Sequence, residues 1–326
     1  MSEARALWTI APRRCALMTE SLPARREDEV LVRTLATGIS RGTERLVLQG
    51  RVPEAMRTLM RAPFQAGAFP FPVKYGYSAV GLVEEGPEAL TGRRVFCLHP
   101  HQDRFVVPAS MVVPVPEAVP DHRAVLAANV ETAVNILWDA RPLLGERALV
   151  MGAGVVGMLA AWLMARVPGL DLVVADADPA RRAAAEALGL RFVAPEDAPG
   201  DRDLIVHASG DPDGLRQCLL LAGFEGRIIE ASWFGDRQAA LPLGEAFHAK
   251  RLALLSTQVG AVAPAMRGRR THAERLLLAL TLLDDPRLDA LLGPAVPFER
   301  LPAAMPALLD PPRGTPAPFC PVVTYI

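Results

Sequence analysis

RALVMGAGVVGMLAAWLMARVPGLDLVVAD, Arg147 to Asp176, decides the fold. It opens with a short apolar run, Ala148 to Met151, of a length that suits a fully buried strand of a parallel sheet. Gly152, Gly154 and Gly157 follow at GxGxxG spacing. The first glycine permits a tight turn, the second lets backbone N–H groups approach a pyrophosphate, and the third lets a helix pack close on the strand. That helix, starting at Val155 and Val156, presents its N-terminus to the same anion. A second apolar run, Leu172 to Ala175, ends at Asp176. An acid about 20 residues beyond the glycines accepts hydrogen bonds from both adenosine ribose hydroxyls and repels a 2′-phosphate. Strand, glycines, helix, strand and acid in this order predict an α/β unit that binds a dinucleotide, NAD in preference to NADP.

The competing reading of this stretch is a membrane span, because Ala148 to Ala165 holds no charged residue and just reaches the necessary length. Three glycines near its start, and the lack of a second apolar segment of that length, favour a buried strand plus helix. The totals agree. With 326 residues, 51% hydrophobic, 22% charged and a net charge of -1, the chain has the make-up of an ordinary two-domain soluble protein. Near-neutral charge gives no electrostatic reason to bind nucleic acid or an anionic membrane, so a small-molecule substrate is expected. The start, MSEARALWTIAPRR, carries Glu3 and lacks the continuous apolar core of a secretory signal, which points to the cytoplasm. Cys15, Cys97, Cys218 and Cys320 are scattered and read as small buried hydrophobes rather than disulfide or metal pairs.

Working outward, residues 1–121 read as a β-rich domain, with β-prone runs at Val30 to Thr34, Ala79 to Glu84, Arg94 to Leu98 and Phe105 to Val107 between turn signals. Within it, Gly50 to Tyr77 is an irregular stretch rich in Pro, Gly and Phe, whose Phe64, Phe69 and Phe71 either wall an apolar substrate or pack under their own loop. Residues 122–290 alternate helix and strand, which argues a parallel sheet. Asp178-Pro179 and Asp211-Pro212 each cap a helix, strands are expected at Asp203 to Ala208, Arg227 to Ala231 and Leu252 to Ser256, and Thr271 with Glu274 forms a capping box. Residues 291–326 are Pro-rich and close on the β-prone Val322 to Ile326, a return to the first domain. Leu252 to Ser256, as an edge strand, is compatible with a homodimer.

This order of parts resembles the medium-chain dehydrogenase/reductase superfamily along essentially the whole chain. The stretches that carry the resemblance are GISRGTE (Gly38 to Glu44), PVKYGYSAVGLVEEG (Pro72 to Gly86), RRVFCL (Arg93 to Leu98), the Gly152 fingerprint with Asp176, DLIVHASG (Asp203 to Gly210) and FHAKRLALLSTQVG (Phe247 to Gly260). GISRGTE looks like the branch of the bacteriochlorophyllide 3-hydroxyethyl dehydrogenases, which oxidise a secondary alcohol to a ketone with NAD. The resemblance implies a GroES-like β-rich domain joined to a Rossmann domain. It also implies that Arg181 approaches the adenosine, that Ser209 binds the cofactor, and that Ser232-Trp233 and Thr257-Gln258 flank the nicotinamide carboxamide through backbone groups.

Departures from the family pattern bear on the chemistry. The zinc alcohol dehydrogenases of this superfamily carry a cysteine where this chain has Ser40, and a Gly-His-Glu where it has Gly76-Tyr77-Ser78. A hydroxyl and a phenol are poor replacements for thiolate and imidazole, and a single carboxylate near Asn129 or Glu131 would not hold the metal. The connection from His99 to Phe105 leaves no room for a four-cysteine zinc lobe. The expectation is no zinc of either kind. Some other group must then handle the proton. By resemblance Ser40, Arg41, Thr43 and Glu44 line the nicotinamide end of the cleft. Tyr77 is the favoured proton donor if Lys74 or Arg41 lowers its pKa, with Glu44 tied to Arg41 as scaffolding. The alternative for Tyr77 is a buried phenol that fills the vacated metal position.

Three further features stay open. His99, His101 and Asp103 form an HxHxD cluster, either a metal site or ordinary surface histidines on a short connection. His207 and His248 read as structural. Arg267, Arg269 and Arg270, in MRGRR, are either a solvated loop or the holder of a substrate carboxylate or phosphate. The leading function is an NAD-dependent, zinc-independent dehydrogenase acting on a secondary alcohol or ketone, with a quinone or enone reductase and a non-catalytic dinucleotide-binding sensor or assembly protein as alternatives.

Overall fold

A computed structural model describes residues 3–312 and 314–325. The chain divides into two compact units, Met1–Ala128 with Leu276–Ile326, and Asn129–Arg275.

The first unit begins with a hairpin, β1 (Glu3–Ala11) and β2 (Arg14–Ser21), followed by the long β3 (Glu29–Gly38) and helix α1 (Arg41–Leu48). Short strands β4 (Ala66–Gly67) and β5 (Val73–Lys74) precede β6 (Ala79–Glu85), β7 (Arg94–Cys97), β8 (Arg104–Pro108) and β9 (Val112–Pro114), and α2 (Asp121–Ala124) and α3 (Ala127–Ala140) follow. Among the described residues one sheet runs β2-β1-β5-β4. In a second sheet β3 is the hub, bonded antiparallel to both β6 and β8. Alternation along β3 decides which face is inside: Val30 and Val32 are fully buried and join Ala79, Val95 and Phe105 in one core cluster. The irregular stretch from Gly50 folds against its own rings: Phe69 is buried and meets Tyr75 at 5.8 Å, and Phe64 meets His99 at 5.5 Å.

The second unit holds β10 (Arg147–Met151), α4 (Val155–Met164), β11 (Asp171–Ala175), α5 (Arg182–Ala187), β12 (Phe192–Val193), β13 (Arg202–His207), α6 (Pro212–Leu221), β14 (Ala222–Glu230) and β15 (Ala253–Ser256). Among the described residues its sheet runs β12-β11-β10-β13-β14-β15, and every pairing is parallel. Counted from β10, that is the 3-2-1-4-5-6 order of a Rossmann sheet, whose topological switch lies between β10 and β13. From Gly157 to Met164 every residue of α4 is buried, so the apolar run is a core helix, and no described helix is long and apolar enough to cross a membrane. The expected caps form: Asp178 Oδ1 accepts from Ala180 N at 3.0 Å and Asp211 Oδ1 from Asp213 N at 3.2 Å. The latter starts α6; the former starts a 3₁₀ turn that leads into α5.

After α7 (His272–Leu282) the chain adds β16 (Leu292–Pro297), α8 (Leu301–Leu309) and β17 (Cys320–Thr324). β17 pairs with β3, and Phe298, Leu301 and Val323 join Leu7, Ile39 and Leu48 in a core cluster. The expected closing strand thus exists. Ile326, the last residue assigned to it, lies outside the described residues.

Candidate functional site

In the second unit the site is built at the carboxyl ends of the parallel strands. Gly152 takes φ +108, and a Cβ there would stand 2.5 Å from Ser209 N. A Cβ on Gly157 would stand 1.9 Å from the Gly152 carbonyl oxygen, so this glycine is what lets α4 close on the loop. Gly154 differs: a Cβ there would meet no atom within 4 Å, which leaves open space at the helix N-terminus where Val155 and Val156 begin the first turn. Asp176, half-buried at the end of β11, accepts from Ala153 N at 2.6 Å through Oδ2 and from Asp178 N at 2.8 Å through Oδ1. Each oxygen keeps a further lone pair for a ligand hydroxyl. A dinucleotide fits these residues: the space beyond Gly154 admits an anion, the first amides of α4 face it, and a fixed carboxylate stands at the neighbouring strand end.

Arg181, expected to approach the adenosine, lies beside the turn that follows Asp176. It is buried, with Nε 3.3 Å from Asp178 Oδ2, and so braces the turn that carries Asp176. The three polar residues expected at the cofactor are each engaged. Ser232 Oγ accepts from Gly210 N at 3.0 Å, and Thr257 Oγ1 donates to Asp139 Oδ2 at 2.6 Å. The exposed Ser209 has its Oγ 2.7 Å from Nε2 of the fully buried His207, whose Nδ1 lies 2.6 Å from Glu230 Oε2. Sequence reasoning missed this Ser-His-Glu chain. A signal for it existed: His207 and Glu230 are polar residues closing two apolar strand runs, and they are register partners in the sheet.

In the first unit, the residues of GISRGTE and the former ligand positions do come together. Ser40 ends the turn before α1, and Glu44, one turn into the helix, reaches back so that its Oε1 accepts from Ser40 N at 2.7 Å. Its Oε2 lies 3.1 Å from His101 Nε2, and His101 Nδ1 lies 2.6 Å from Thr37 Oγ1. Glu44 and His101 are 4% and 1% exposed, so this is a buried, mutually satisfied pair. The half-buried Tyr77 bonds through its hydroxyl to the side chains of Ser40 and Thr43. Burial first, and the Glu44 carboxylate second, push its phenol up from about 10 to about 12.

Several expectations are corrected here. Neither expected cation activates Tyr77: Lys74 Nζ donates to Glu20 Oε2 at 2.6 Å and Gln102 Oε1 at 2.9 Å, while Arg41 caps the end of α8 through the carbonyls of Leu308 and Leu309. The dominant charge on the phenol is an anion, which keeps it protonated. Glu44 is scaffolded by His101 and the Ser40 amide, not through the expected Arg41 pairing. The histidines of HxHxD are not surface groups. His99 is buried and stacked on Phe105 at 3.9 Å, and burial lowers its pKa to about 3.

Zinc does not fit the donors present. Ser40 and Tyr77 offer oxygens that bond each other, Glu44 and His101 are committed to one another, and no group of three His, Cys, Asp or Glu side chains suited to a metal occurs among the described residues. Glu131, near the third ligand position, is buried and its Oε1 accepts from Arg275 Nε at 3.1 Å.

A GroES-like β unit and a Rossmann unit in one chain are the fold of the medium-chain dehydrogenase/reductases of the zinc-type alcohol dehydrogenase-like kind. No protein-family model matches the chain. It is 29% identical over 246 residues to the 2-desacetyl-2-hydroxyethyl bacteriochlorophyllide A dehydrogenase of Cereibacter sphaeroides, covering 69% of this chain and 72% of that protein. It is 33% identical over 119 residues to the L-threonine 3-dehydrogenase of Mesorhizobium japonicum, covering 36% of this chain and 34% of that protein. Among solved structures, L-idonate 5-dehydrogenase of Escherichia coli K-12 superposes with a TM-score of 0.80 at 16% identity, covering 99% of this chain and 98% of that one. A short chain alcohol dehydrogenase of Escherichia coli CFT073, complexed with NADH, gives 0.79 at 18% identity over 99% of this chain and all of that one. By fold and by these likenesses the chain resembles the medium-chain dehydrogenases.

Proposed function

We propose that the chain is an NAD-dependent, zinc-independent oxidoreductase that interconverts a secondary alcohol and a ketone. The Cereibacter sphaeroides relative, whose name describes a hydroxyethyl substituent on a large macrocycle, supports a secondary alcohol borne on an apolar body. Bound nicotinamide would supply the hydride donor or acceptor. The chain's own residues do the rest. The open space at Gly154 and the amides of α4 seat the pyrophosphate, and Asp176 takes the ribose hydroxyls and disfavours a 2′-phosphate.

The observation that carries the reaction type is Tyr77, a phenol held neutral by burial and by the Glu44 carboxylate and bonded to two hydroxyls, Ser40 and Thr43. Such a phenol donates a hydrogen bond to a carbonyl oxygen and passes its proton on as the alkoxide forms. Ser40 and Thr43 orient it, and Glu44, fixed by His101, holds Ser40 in place. The position of β15 at the end of its sheet among the described residues supports the homodimer reading.

The experiment is a titration of the purified protein with NADH and NADPH by nicotinamide fluorescence, with metal analysis on the same sample and a screen of secondary alcohols and ketones. NADH preference, no stoichiometric zinc and turnover of a secondary alcohol are expected. NADPH preference overturns the Asp176 argument, one zinc per chain overturns the donor argument, and NADH binding without turnover of alcohols, ketones or enones overturns the enzyme reading.

A further inference from the structure

MRGRR, left open by the sequence, borders a groove of the second unit that the dinucleotide residues do not use. The groove is open to solvent, offers about 420 Å³, and is lined by residues between Gly260 and His272, among them Ala261, Val262, Arg267 and Arg270. It opens a few residues past the end of β15, on the carboxyl side of the parallel sheet, where folds of this kind bind their ligands.

Its floor is fixed from beneath. The fully buried Arg275 bonds Glu131 Oε1 at 3.1 Å and Asn135 Oδ1 at 2.6 Å, and it also donates to the carbonyls of Val259 and Ala261. Asn135 Oδ1 accepts in turn from Ala263 N at 3.0 Å. Backbone from Val259 to Ala263 is therefore tied to a buried polar network and is preorganised rather than loose.

The rim is cationic, and among the described residues neither arginine has a carboxylate within ion-pair distance. Arg267 and Arg270 are exposed and donate only to backbone carbonyls, of Val262 at 3.4 Å and Arg269 at 2.9 Å. Glu274 accepts from the Thr271 amide and hydroxyl at 2.7 and 3.1 Å in the capping box of α7, so it meets Arg270 through its charge and not through a hydrogen bond. Most arginines elsewhere in the chain whose contacts are described have a carboxylate partner, such as Arg123 with Asp289 or Arg147 with Asp203. Two guanidinium forks over an apolar floor of Ala261 and Val262 match a ligand with an apolar body and an oxyanion at its end.

We propose that this groove is a binding subsite for a substrate whose apolar body carries an oxyanion, a carboxylate or a phosphate, gripped by Arg267 and Arg270. It rests on the dehydrogenase reading only in calling that ligand the substrate.

The test is calorimetric titration of the full chain, at low salt and with NADH present, using 2-naphthoate, 2-naphthyl phosphate, 2-naphthol and inorganic phosphate. One of the two naphthyl anions should bind at least 10-fold tighter than both the naphthol and inorganic phosphate, and that anion names the group. Arg267→Gln with Arg270→Gln should weaken it at least 10-fold, while Arg269→Gln, outside the lining, leaves it unchanged. NADH affinity and the melting temperature, read on the same preparations, should stay at wild-type values in both the double variant and Arg269→Gln. Equal binding of naphthol, equal binding of inorganic phosphate, indifference to the arginine substitutions, or no binding of either anion overturns the proposal. Loss of NADH binding by the wild type would instead sink the dehydrogenase reading and leave the groove result standing.

Discussion

Gly154 and Gly157 stand three residues apart in the same motif, yet the structure assigns them opposite costs. In Gly157→Ala the new Cβ would stand 1.9 Å from the Gly152 carbonyl oxygen, whereas a comfortable carbon–oxygen approach is about 3.3 Å. The helix must retreat by more than an ångström, and it cannot retreat freely, because each residue from Gly157 to Met164 is buried. Overpacking of this kind costs about 1–3 kcal/mol, or roughly 2–12 °C of melting temperature for a unit of this size. In Gly154→Ala the Cβ meets nothing within 4 Å, and φ -73 is an ordinary angle for alanine, so the melting temperature should move by no more than about 2 °C. Its methyl fills the space assigned to the pyrophosphate, and NADH affinity should fall by about 10-fold or more, worth about 1.4 kcal/mol. Circular-dichroism melts and NADH fluorescence titrations on both variants separate the two effects. A Gly154→Ala protein that binds NADH like the wild type would refute the cradle; an unaltered melt for Gly157→Ala would refute the close-packing argument.

Four further outcomes follow from the same geometry. Tyr77→Phe should lower kcat for ketone reduction about 100-fold or more with NADH affinity unchanged; retained activity would make Tyr77 a filler. Because the Tyr77 pKa is raised, to about 12, the phenol stays protonated as pH rises through its ordinary range. Its contribution to stability is complete below about pH 10 and is lost towards about pH 12; Glu44→Gln, which removes the anion, should move the alkaline limb of the reduction rate to lower pH. Glu44→Ala leaves His101 Nε2 and the Ser40 amide without their acceptor and should cost about 1–3 kcal/mol in urea denaturation, with an unchanged midpoint counting against a buried pair. Asp176→Ser should narrow the preference for NADH over NADPH about 10-fold, measured as a ratio of affinities.

What could be read from the sequence was what is local. The Arg147 to Asp176 stretch is decided by spacings of a few residues, and the same holds for the caps at Asp178, Asp211 and Thr271, each closed within three positions. The hairpin β1–β2 left little trace because β2 lies half in solvent and alternates poorly, and β12 is only two residues long. His101 was misplaced for a different reason. Its partners Glu44 and Thr37 are 57 and 64 positions away, so nothing near it in the chain distinguishes a buried histidine from one on a surface loop. Arg41 and Lys74 failed likewise: each was expected beside Tyr77, but Arg41 was claimed in space by the carbonyls of Leu308 and Leu309 and Lys74 by Glu20.

The exchanges at the former metal positions make sense only together. A serine in place of the thiolate leaves a hydroxyl in a half-buried site, and a tyrosine in place of the imidazole leaves a phenol; each is the other's hydrogen-bond partner. Glu44 is held by both oxygens: Oε2 lies against Nε2 of His101, a residue delivered from the connection between β7 and β8, and Oε1 accepts from the Ser40 amide. Removing any one member strands a buried polar group at a cost of about 1–3 kcal/mol, so the set is held as a unit. That coupling also sets its chemistry. An anion beside a phenol keeps the tyrosine protonated near neutral pH, and in the proposed reaction the group that gives its proton to the forming alkoxide in reduction is the one that takes it back in oxidation.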